Sequence, residues 1–201
     1  MDLFKRNERE NLLPYDGIVE YLGPFLKPKE ASDYFDAIFS SSAWKHDEAK
    51  IFAKHIITKR KVAWYGDDDF EYIYSGTAKK ALPWTDVLYS MKTLVEEKSR
   101  AKFNSCLLNL YHSGNEGMAW HSDDEKSLGE RTTIASVSLG TERKFYFRHK
   151  KTKETIAIDL EPGSLLLMRG ETQTNWLHAL PKMKRIQTPR INLTYRQFKL
   201  N

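Results

Sequence analysis

Two stretches in the first half of the chain repeat apolar residues at the spacing of an amphipathic helix. In residues 28–42, which begin with a proline suited to a first helical turn, one face carries Ala31, Tyr34, Phe35, Ile38 and Phe39. In residues 84–98, which also follow a proline, one face carries Val87, Leu88, Met91, Leu94 and Val95. The pattern therefore predicts two helices, each with one face directed at a core.

From residue 103 onward the apolar period changes to two, in short β-rich runs separated by turns. The predicted strands are residues 103–112, 132–140, 143–149, 154–160, 164–168 and 190–198. Many short strands in series are typical of a β-sandwich, a jelly roll or a small barrel. We therefore predict an α+β, mainly β fold in one domain. Residues 1–100 would support and cover a β-core formed by residues 101–201.

Composition restricts the class of protein. With 201 residues, 40% of them hydrophobic and 29% charged, the chain is typical of a water-soluble globular domain. We expect no membrane association, because no run approaches the roughly 18 to 20 apolar residues that a span needs. The first residues are charged, unlike a secretory leader. Cys106 is the only cysteine, so we expect a reducing intracellular compartment, the cytoplasm of a bacterium or the nucleus of a eukaryote.

The net charge of +5 and the pI of about 9.1 favour a polyanionic partner. Nucleic acid is the commonest such partner. Many proteins are mildly basic without binding nucleic acid, so charge alone only raises that possibility.

Three residues have the chemistry of a metal site. His121 and Asp123 form an H-x-D pair, which places both side chains on one side of a strand or of its exit loop, and His178 follows far downstream. Two imidazoles and one carboxylate are the facial triad of non-haem iron(II) sites, which leaves open positions on the metal. An H-x-D pair also arises by composition, and a single histidine is more often packed or exposed than a ligand.

Two polar faces accompany this triad. Asn109 and Tyr111 share one face of a predicted strand about ten residues before His121. On the last strand one face carries Arg190, Asn192, Thr194 and Arg196, and the other carries Ile191, Leu193 and Tyr195. The polar face of that strand either contacts solvent at a sheet edge or points into a cavity that binds an anionic small molecule. Arginine suits the second case, because it pairs with a carboxylate through two parallel hydrogen bonds.

The joint spacing of these motifs resembles the AlkB family of iron(II)- and 2-oxoglutarate-dependent dioxygenases, over roughly residues 50–198. The matching motifs are Asn109-Leu-Tyr111, His121-Ser-Asp123, Trp176-Leu-His178 and the alternating run from Arg190 to Arg196. The branch that acts on double-stranded DNA is the most similar. One departure lies in a loop, where this chain has His112-Ser113-Gly114 and the family often has a proline.

The resemblance implies a double-stranded β-helix (jelly-roll) core with N-terminal helices and a nucleotide-recognition lid. It implies that His121, Asp123 and His178 hold iron(II). It implies that 2-oxoglutarate is bound by Asn109, Tyr111, Arg190, Asn192, Thr194 and Arg196. The implied reaction is DNA repair by oxidative demethylation of bases such as 1-methyladenine and 3-methylcytosine. Dioxygen and 2-oxoglutarate are consumed, and succinate, carbon dioxide and formaldehyde are released.

A methylated base inside a duplex must be flipped into a pocket before it can react. We expect Asp124 and Glu125 at the pocket mouth, where they would accept hydrogen bonds from an amino group and favour a cationic base, unless they form a solvated loop. By resemblance, Tyr72 and Tyr74 belong to the lid and stack on the nucleotide, although alternate aromatic residues more often build a core. By the same resemblance, Phe52 fills the gap left by the flipped base, although such a residue is usually just buried.

Two basic clusters are expected to contact phosphates. The first is an expected surface cluster of Lys54, Lys59, Arg60 and Lys61, and the second comprises Lys182, Lys184 and Arg185. We therefore expect a monomer that binds alkylated DNA, double- or single-stranded, with RNA as an alternative partner. His149 lies in a basic stretch and is expected in a solvent-facing turn.

Two other functions remain open at the level of sequence. One is the same chemistry on RNA or on another substrate, which the basic clusters do not exclude. The other is a non-catalytic nucleic-acid-binding module that keeps the fold. The complete set of metal ligands and arginines argues against such a module.

Overall fold

Two antiparallel sheets form most of the computed structural model, which describes residues 10–51, 54–67, 71–74, 77–129 and 131–199. The strands are β1 Ile18–Pro24, β2 Lys45–Ile51, β3 Lys54–Gly66, β4 Glu71–Tyr74, β5 Thr77–Lys80, β6 Leu82–Pro83, β7 Ser105–Tyr111, β8 Met118–His121, β9 Ile134–Gly140, β10 Arg143–His149, β11 Thr155–Leu160, β12 Ser164–Arg169, β13 Trp176–Leu180 and β14 Arg190–Arg196. The helices are α1 Pro28–Ser41, α2 Asp86–Ser99 and α3 Thr172–Asn175.

The two predicted helices are confirmed, with starts and ends that follow from local chemistry. Helix α1 begins at Pro28, and the side chain of Glu30 accepts a hydrogen bond from the backbone N–H of Lys27 at 2.9 Å. Helix α2 is capped by Thr85 and ends before Arg100, whose φ of 54° is left-handed. The apolar residue Leu88 is fully buried on the face of α2 that packs against the core.

The large sheet has the strand order β1-β12-β9-β14-β7-β3-β2, with β6 beside β3. The small sheet has the order β11-β10-β13-β8, and β4 and β5 form a separate two-stranded sheet. Strand β14 lies between β7 and β9, where Arg190 is opposite Tyr111 and Asn192 is opposite Asn109. The polar faces recognised in the sequence are therefore side by side on one surface of the large sheet.

Two apolar clusters hold these layers together. The larger one joins helices α1 and α2 to one face of the large sheet, and it includes the residues of β14 that alternate with the polar ones. The smaller one joins the two sheets and includes Ile134, Phe147, Leu166 and Trp176. This arrangement confirms the predicted mainly β jelly-roll fold. Of the helices that the structure describes, none is long and apolar enough to cross a membrane.

Two features of the fold were not expected from the sequence. Strands β1, β2 and β3 precede residue 100 and yet belong to the large sheet. The large sheet is therefore formed by residues from both halves of the chain. The expectation for His149 is wrong, because its side chain is buried and packs against Tyr15 and Trp176. The Nδ1 atom of His149 accepts a hydrogen bond from the backbone N–H of Thr152 at 3.1 Å, which turns the ring inward.

We expect Leu88→Ala to lower the free energy of unfolding by about 2 to 5 kcal/mol, because it opens a cavity where α2 packs on the sheet. Urea denaturation measures the change, provided that the unfolding free energy of each variant depends on urea concentration with the same slope as that of the wild type. The control is Leu82→Ala, which truncates a leucine that is 37% exposed and should cost about 1 kcal/mol or less. Equal losses for the two variants would contradict this packing of α2.

Candidate active site

The predicted metal ligands converge on one point of the small sheet. His121 ends β8, Asp123 follows two residues later, and His178 lies on β13 directly opposite His121. One ligand atom from each of the three side chains lies within 4.8 Å of the others. The Nδ1 atom of His121 donates to the carbonyl oxygen of Ala119 at 2.8 Å, so its Nε2 is the atom left for a metal.

Electrostatics keep Asp123 and His178 in the forms that bind a metal. Burial raises the pKa of Asp123, but the charge of Arg196, whose Nη2 lies 2.8 Å from Oδ1 of Asp123, and then electrostatic interactions with the two histidines more than offset this effect. The pKa of Asp123 is consequently lowered to about 2, and the carboxylate is ionised at neutral pH. Burial and the neighbouring His121 lower the pKa of His178 to about 3. A neutral imidazole and an ionised carboxylate are the forms that bind a divalent metal.

Residues around the triad fix its orientation. The backbone N–H of Asp123 donates to the side-chain oxygen of Gln173 in α3 at 2.9 Å. The Lys150 ammonium group donates to the carbonyl oxygen of Gln173 at 2.9 Å and to the hydroxyl of Ser122 at 3.1 Å. The ring of Phe145 stacks on His178 with centroids 5.6 Å apart. The loop that carries Asp123 is thus tied to the segment that precedes His178.

The second half of the site is built to bind an anion. Arg190 is buried, and it donates from Nη2 to the hydroxyl of Ser138 at 2.9 Å. Its guanidinium lies 5.7 Å from the centre of the Tyr111 ring. Burial lowers the pKa of Arg190 to about 10, so the side chain stays charged at neutral pH. Its Nε atom and the Oδ1 atom of Asn109 are buried without a hydrogen-bond partner among the described residues.

Both halves of the site face one cavity of about 110 Å³ between the two sheets. Its polar lining includes His121, Asp123, His178, Asn109, Tyr111, Arg190, Asn192, Thr194 and Arg196. Its apolar lining includes Val62, Trp64, Leu107, Phe145, Met168, Leu180 and Phe198. The interpretation of the last strand as a cavity wall, rather than as a solvent-facing edge, is the one that the structure supports.

These residues fit iron(II) and 2-oxoglutarate. The triad supplies two imidazoles and one carboxylate, which is a donor set typical of iron(II) with open positions. The buried Arg190 supplies a guanidinium whose Nε lacks a partner in the described part of the chain, as a clamp for a carboxylate would. Tyr111 lies opposite Arg190 in the sheet, which places a hydroxyl-bearing ring beside the same position.

The structure separates the two acidic residues expected at the pocket mouth. Glu125 lines the cavity, and its Oε2 atom is buried without a hydrogen-bond partner within the described ranges. Asp124 is exposed, accepts a hydrogen bond from Ser122 at 3.2 Å and is not part of the cavity wall. Of this pair, only Glu125 lines the cavity, and the expected contact of Asp124 with the base stays a prediction.

The expected surface cluster is wrong for Arg60. Its side chain points into the cavity wall, where it is buried and forms an ion pair with Asp47 of the neighbouring strand β2. Arg60 is therefore part of the cavity wall and not an exposed contact for phosphate. In the second cluster, Lys182, Lys184 and Arg185 are exposed as expected.

The predicted lid residues are described only in part. Tyr72 and Tyr74 lie on β4, which pairs with β5, and the positions of their side chains are outside the description. Phe52 lies outside the described residues altogether. The roles of these three residues stay predictions.

Several residues of the site were not recognised from the sequence. Asp47, Gln173 and Phe145 reach the site from segments with no motif, and only the alternation in β10 hinted at an inward Phe145. Arg143 is also buried, next to Tyr111, and its Nη2 donates to the carbonyl oxygens of Glu116 and Pro181 at 2.9 and 2.7 Å. It fixes the loop that follows β7 against the loop that follows β13.

Comparisons with known proteins agree with this geometry. A family model described as 2OG-Fe(II) oxygenase superfamily matches residues 19–196. DNA oxidative demethylase ALKBH2 of Mus musculus is 39% identical over 158 residues, which cover 75% of this chain and 66% of that protein. Alpha-ketoglutarate-dependent dioxygenase alkB homolog 3 of Bos taurus is 37% identical over 182 residues, which cover 86% of this chain and 63% of that protein. The chain thus spans less than two thirds of the length of these curated relatives.

Among solved structures, one described as the structure of OsALKBH1 matches with a TM-score of 0.58 at 18% identity. The match covers 92% of this chain and 99% of that one, and at this identity it supports the fold alone. Fold and triad together define a jelly-roll protein with a facial iron site. The chain belongs to the 2OG-Fe(II) oxygenase superfamily and, within it, to the AlkB family, as its motifs indicated.

We expect Gln173→Ala to weaken the binding of Fe(II) or Mn(II) by about 10- to 100-fold, because the Asp123 loop loses its hydrogen-bond partner in α3. Anaerobic titration calorimetry measures the affinity. Thr174→Ala changes an exposed side chain of the same helix and serves as the control. Unchanged metal affinity in Gln173→Ala would show that this hydrogen bond does not position Asp123.

Proposed function

We propose that this protein repairs DNA by oxidative demethylation of N-alkylated bases, with 1-methyladenine and 3-methylcytosine as representative substrates. The observation that carries the proposal is the shared cavity, in which the triad, the buried Arg190 and the carboxylate of Glu125 face one space. Relatives named as DNA oxidative demethylases support DNA as the substrate.

The proposed metal ligands are His121, Asp123 and His178. When iron(II) and 2-oxoglutarate are bound, they would enable dioxygen to oxidise a C–H bond of the substrate. Succinate and carbon dioxide would be the co-products. An N-methyl group becomes an N-hydroxymethyl group, which leaves as formaldehyde and restores the base. Arg190 and Tyr111 would bind a carboxylate of 2-oxoglutarate, and Asn109, Asn192 and Thr194 would complete the polar wall of its site. Arg196 keeps Asp123 ionised.

The proposed substrate site adjoins this centre. Glu125 accepts hydrogen bonds from an exocyclic amino group, and its charge favours a base that is positively charged. Tyr72 and Tyr74 cover the flipped nucleotide, and Phe52 fills the gap that it leaves. The exposed group Lys182, Lys184 and Arg185 contacts phosphates, which should make binding strongly dependent on salt.

The proposed partner is alkylated DNA, in duplex or single-stranded form, with RNA as the alternative. An enzyme of this kind acts inside the cell, in the cytoplasm of a bacterium or the nucleus of a eukaryote. The monomeric state expected from the sequence stays a prediction.

The test of this function is turnover of singly methylated oligonucleotides supplied as duplex DNA, single-stranded DNA and RNA, with iron(II) and 2-oxoglutarate. We expect succinate and formaldehyde in equal amounts, and mass spectrometry should show the unmodified base. His121→Ala should abolish all three signals. His112→Ala, at a side chain that is 41% exposed, should keep turnover within about twofold. Absence of turnover on every methylated DNA by the intact protein would refute DNA repair, and faster turnover of RNA would favour the alternative.

We expect Arg190→Lys to raise the KM for 2-oxoglutarate by about 10- to 150-fold, because a lysine cannot form two parallel hydrogen bonds with a carboxylate. Steady-state succinate formation at saturating oligonucleotide measures the KM. Arg185→Lys makes the same exchange at an exposed position and should leave the KM unchanged. A KM for Arg190→Lys equal to that of the wild type would remove Arg190 from the cosubstrate site.

A further inference from the structure

A second buried ion pair lies in the cavity wall, away from the metal ligands in sequence. The Arg60 guanidinium donates from Nη2 to the Asp47 carboxylate, and only 7% and 6% of the two residues are exposed. The Nη1 atom of Arg60 lies 3.4 Å from the sulfur of Met118. Burial lowers the pKa of Arg60, but Tyr111 and Asp47 more than offset this effect, so the pKa is raised and the group is charged.

The backbone is shaped to form this pair. In the β2–β3 hairpin His46 is opposite Lys61 while Glu48 is opposite Ile57, so the register shifts at Asp47. The ring of His46 donates from Nδ1 to the carbonyl oxygen of Thr58 at 3.0 Å, which holds the irregular segment. A bulge of this kind redirects side chains, and such bulges occur often beside active sites. The pair is therefore a fixed part of the cavity wall.

The charges in the cavity wall show what the pair does. Among the described residues, the acidic and basic side chains that line the cavity are those of Asp47, Arg60, Asp123, Glu125, Arg190 and Arg196. Arg60 is neutralised by Asp47, and Asp123 is neutralised by Arg196. Glu125 and Arg190 form no ion pair with another described residue, and each keeps a buried polar atom without a hydrogen-bond partner there. They are therefore the two charges offered to ligands. Without Asp47, the guanidinium of Arg60 would add an uncompensated positive charge to the same space.

We propose that Asp47 is a positioning residue that determines specificity: it holds and neutralises Arg60, so that the cavity accepts a positively charged base. The inference rests on the proposed function and adds a residue to it. A like charge inside a poorly solvated cavity strongly disfavours a cationic ligand and has little effect on a neutral one. Through Arg60, Asp47 therefore determines how strongly the cavity prefers positively charged alkylated bases over neutral ones.

The test compares two single-stranded oligonucleotides of one sequence, one with the cationic base 3-methylcytosine and one with the neutral base 3-methylthymine. For Asp47→Asn we expect kcat/KM on 3-methylcytosine to fall by about tenfold or more, mainly through KM. On 3-methylthymine it should stay within about twofold of the wild type. Fluorescence anisotropy of both oligonucleotides provides the dissociation constants. We expect the dissociation constant to rise for 3-methylcytosine and to stay nearly unchanged for 3-methylthymine.

Two further variants separate charge from structure. Asp47→Asn combined with Arg60→Gln removes both charges, and it should restore the relative preference for 3-methylcytosine over 3-methylthymine. Asp159→Asn removes the carboxylate of a half-exposed ion pair with Lys144 on the small sheet. It should change kcat/KM on neither oligonucleotide. Thermal melting of each variant reports whether the fold is retained.

An equal loss on both oligonucleotides, or no loss on 3-methylcytosine, would overturn the proposal for Asp47. Failure of the proposed function looks different, because the wild-type protein would then turn over neither oligonucleotide. In that case the dissociation constants still test Asp47. If Asp47→Asn weakened the binding of both oligonucleotides equally, the proposal for Asp47 would be wrong.

Discussion

The register of β14 between β7 and β9 is the constraint on which the rest of the site depends. It places Arg190 opposite Tyr111 and Asn192 opposite Asn109, so the polar residues of both strands face one cavity. The alternate residue Leu193 is fully buried on the other face, in the core beneath the helices. A slip of one residue would turn the arginines into that core, so packing of the apolar face fixes the chemistry of the polar one.

Four of the charged side chains in this cavity form two ion pairs. Breaking a buried ion pair costs about 3 to 5 kcal/mol, since the remaining charge loses its partner in a poorly solvated place. Asp123 is compensated by Arg196, and Arg60 by Asp47. In the described part of the chain, the guanidinium of Arg190 and the carboxylate of Glu125 line the cavity without an ion-pair partner, and we propose that they bind ligands beside the metal triad. Stability and specificity therefore depend on the same pairs of side chains.

Features with a local period could be predicted from the sequence. Helix α1 and the inward residues of β7 and β14 followed from the 3.6- and 2-residue patterns, and the triad followed from motif spacing. Long-range pairings could not be predicted. Asp47 meets Arg60 through an irregular hairpin, Gln173 meets Asp123 across fifty residues, and His149 is turned inward by a local hydrogen bond. No alternation or motif encodes these contacts.

The central claim is that the metal triad and the anion-binding wall form one site. Titration of Mn(II) into the protein with and without saturating 2-oxoglutarate, and the reverse titration, tests it most directly. Two ligands that share one cavity are coupled, and each must raise the affinity of the other by the same factor, which we expect to be about fivefold or more. Independent binding, with metal affinity unchanged by 2-oxoglutarate, would contradict a single site.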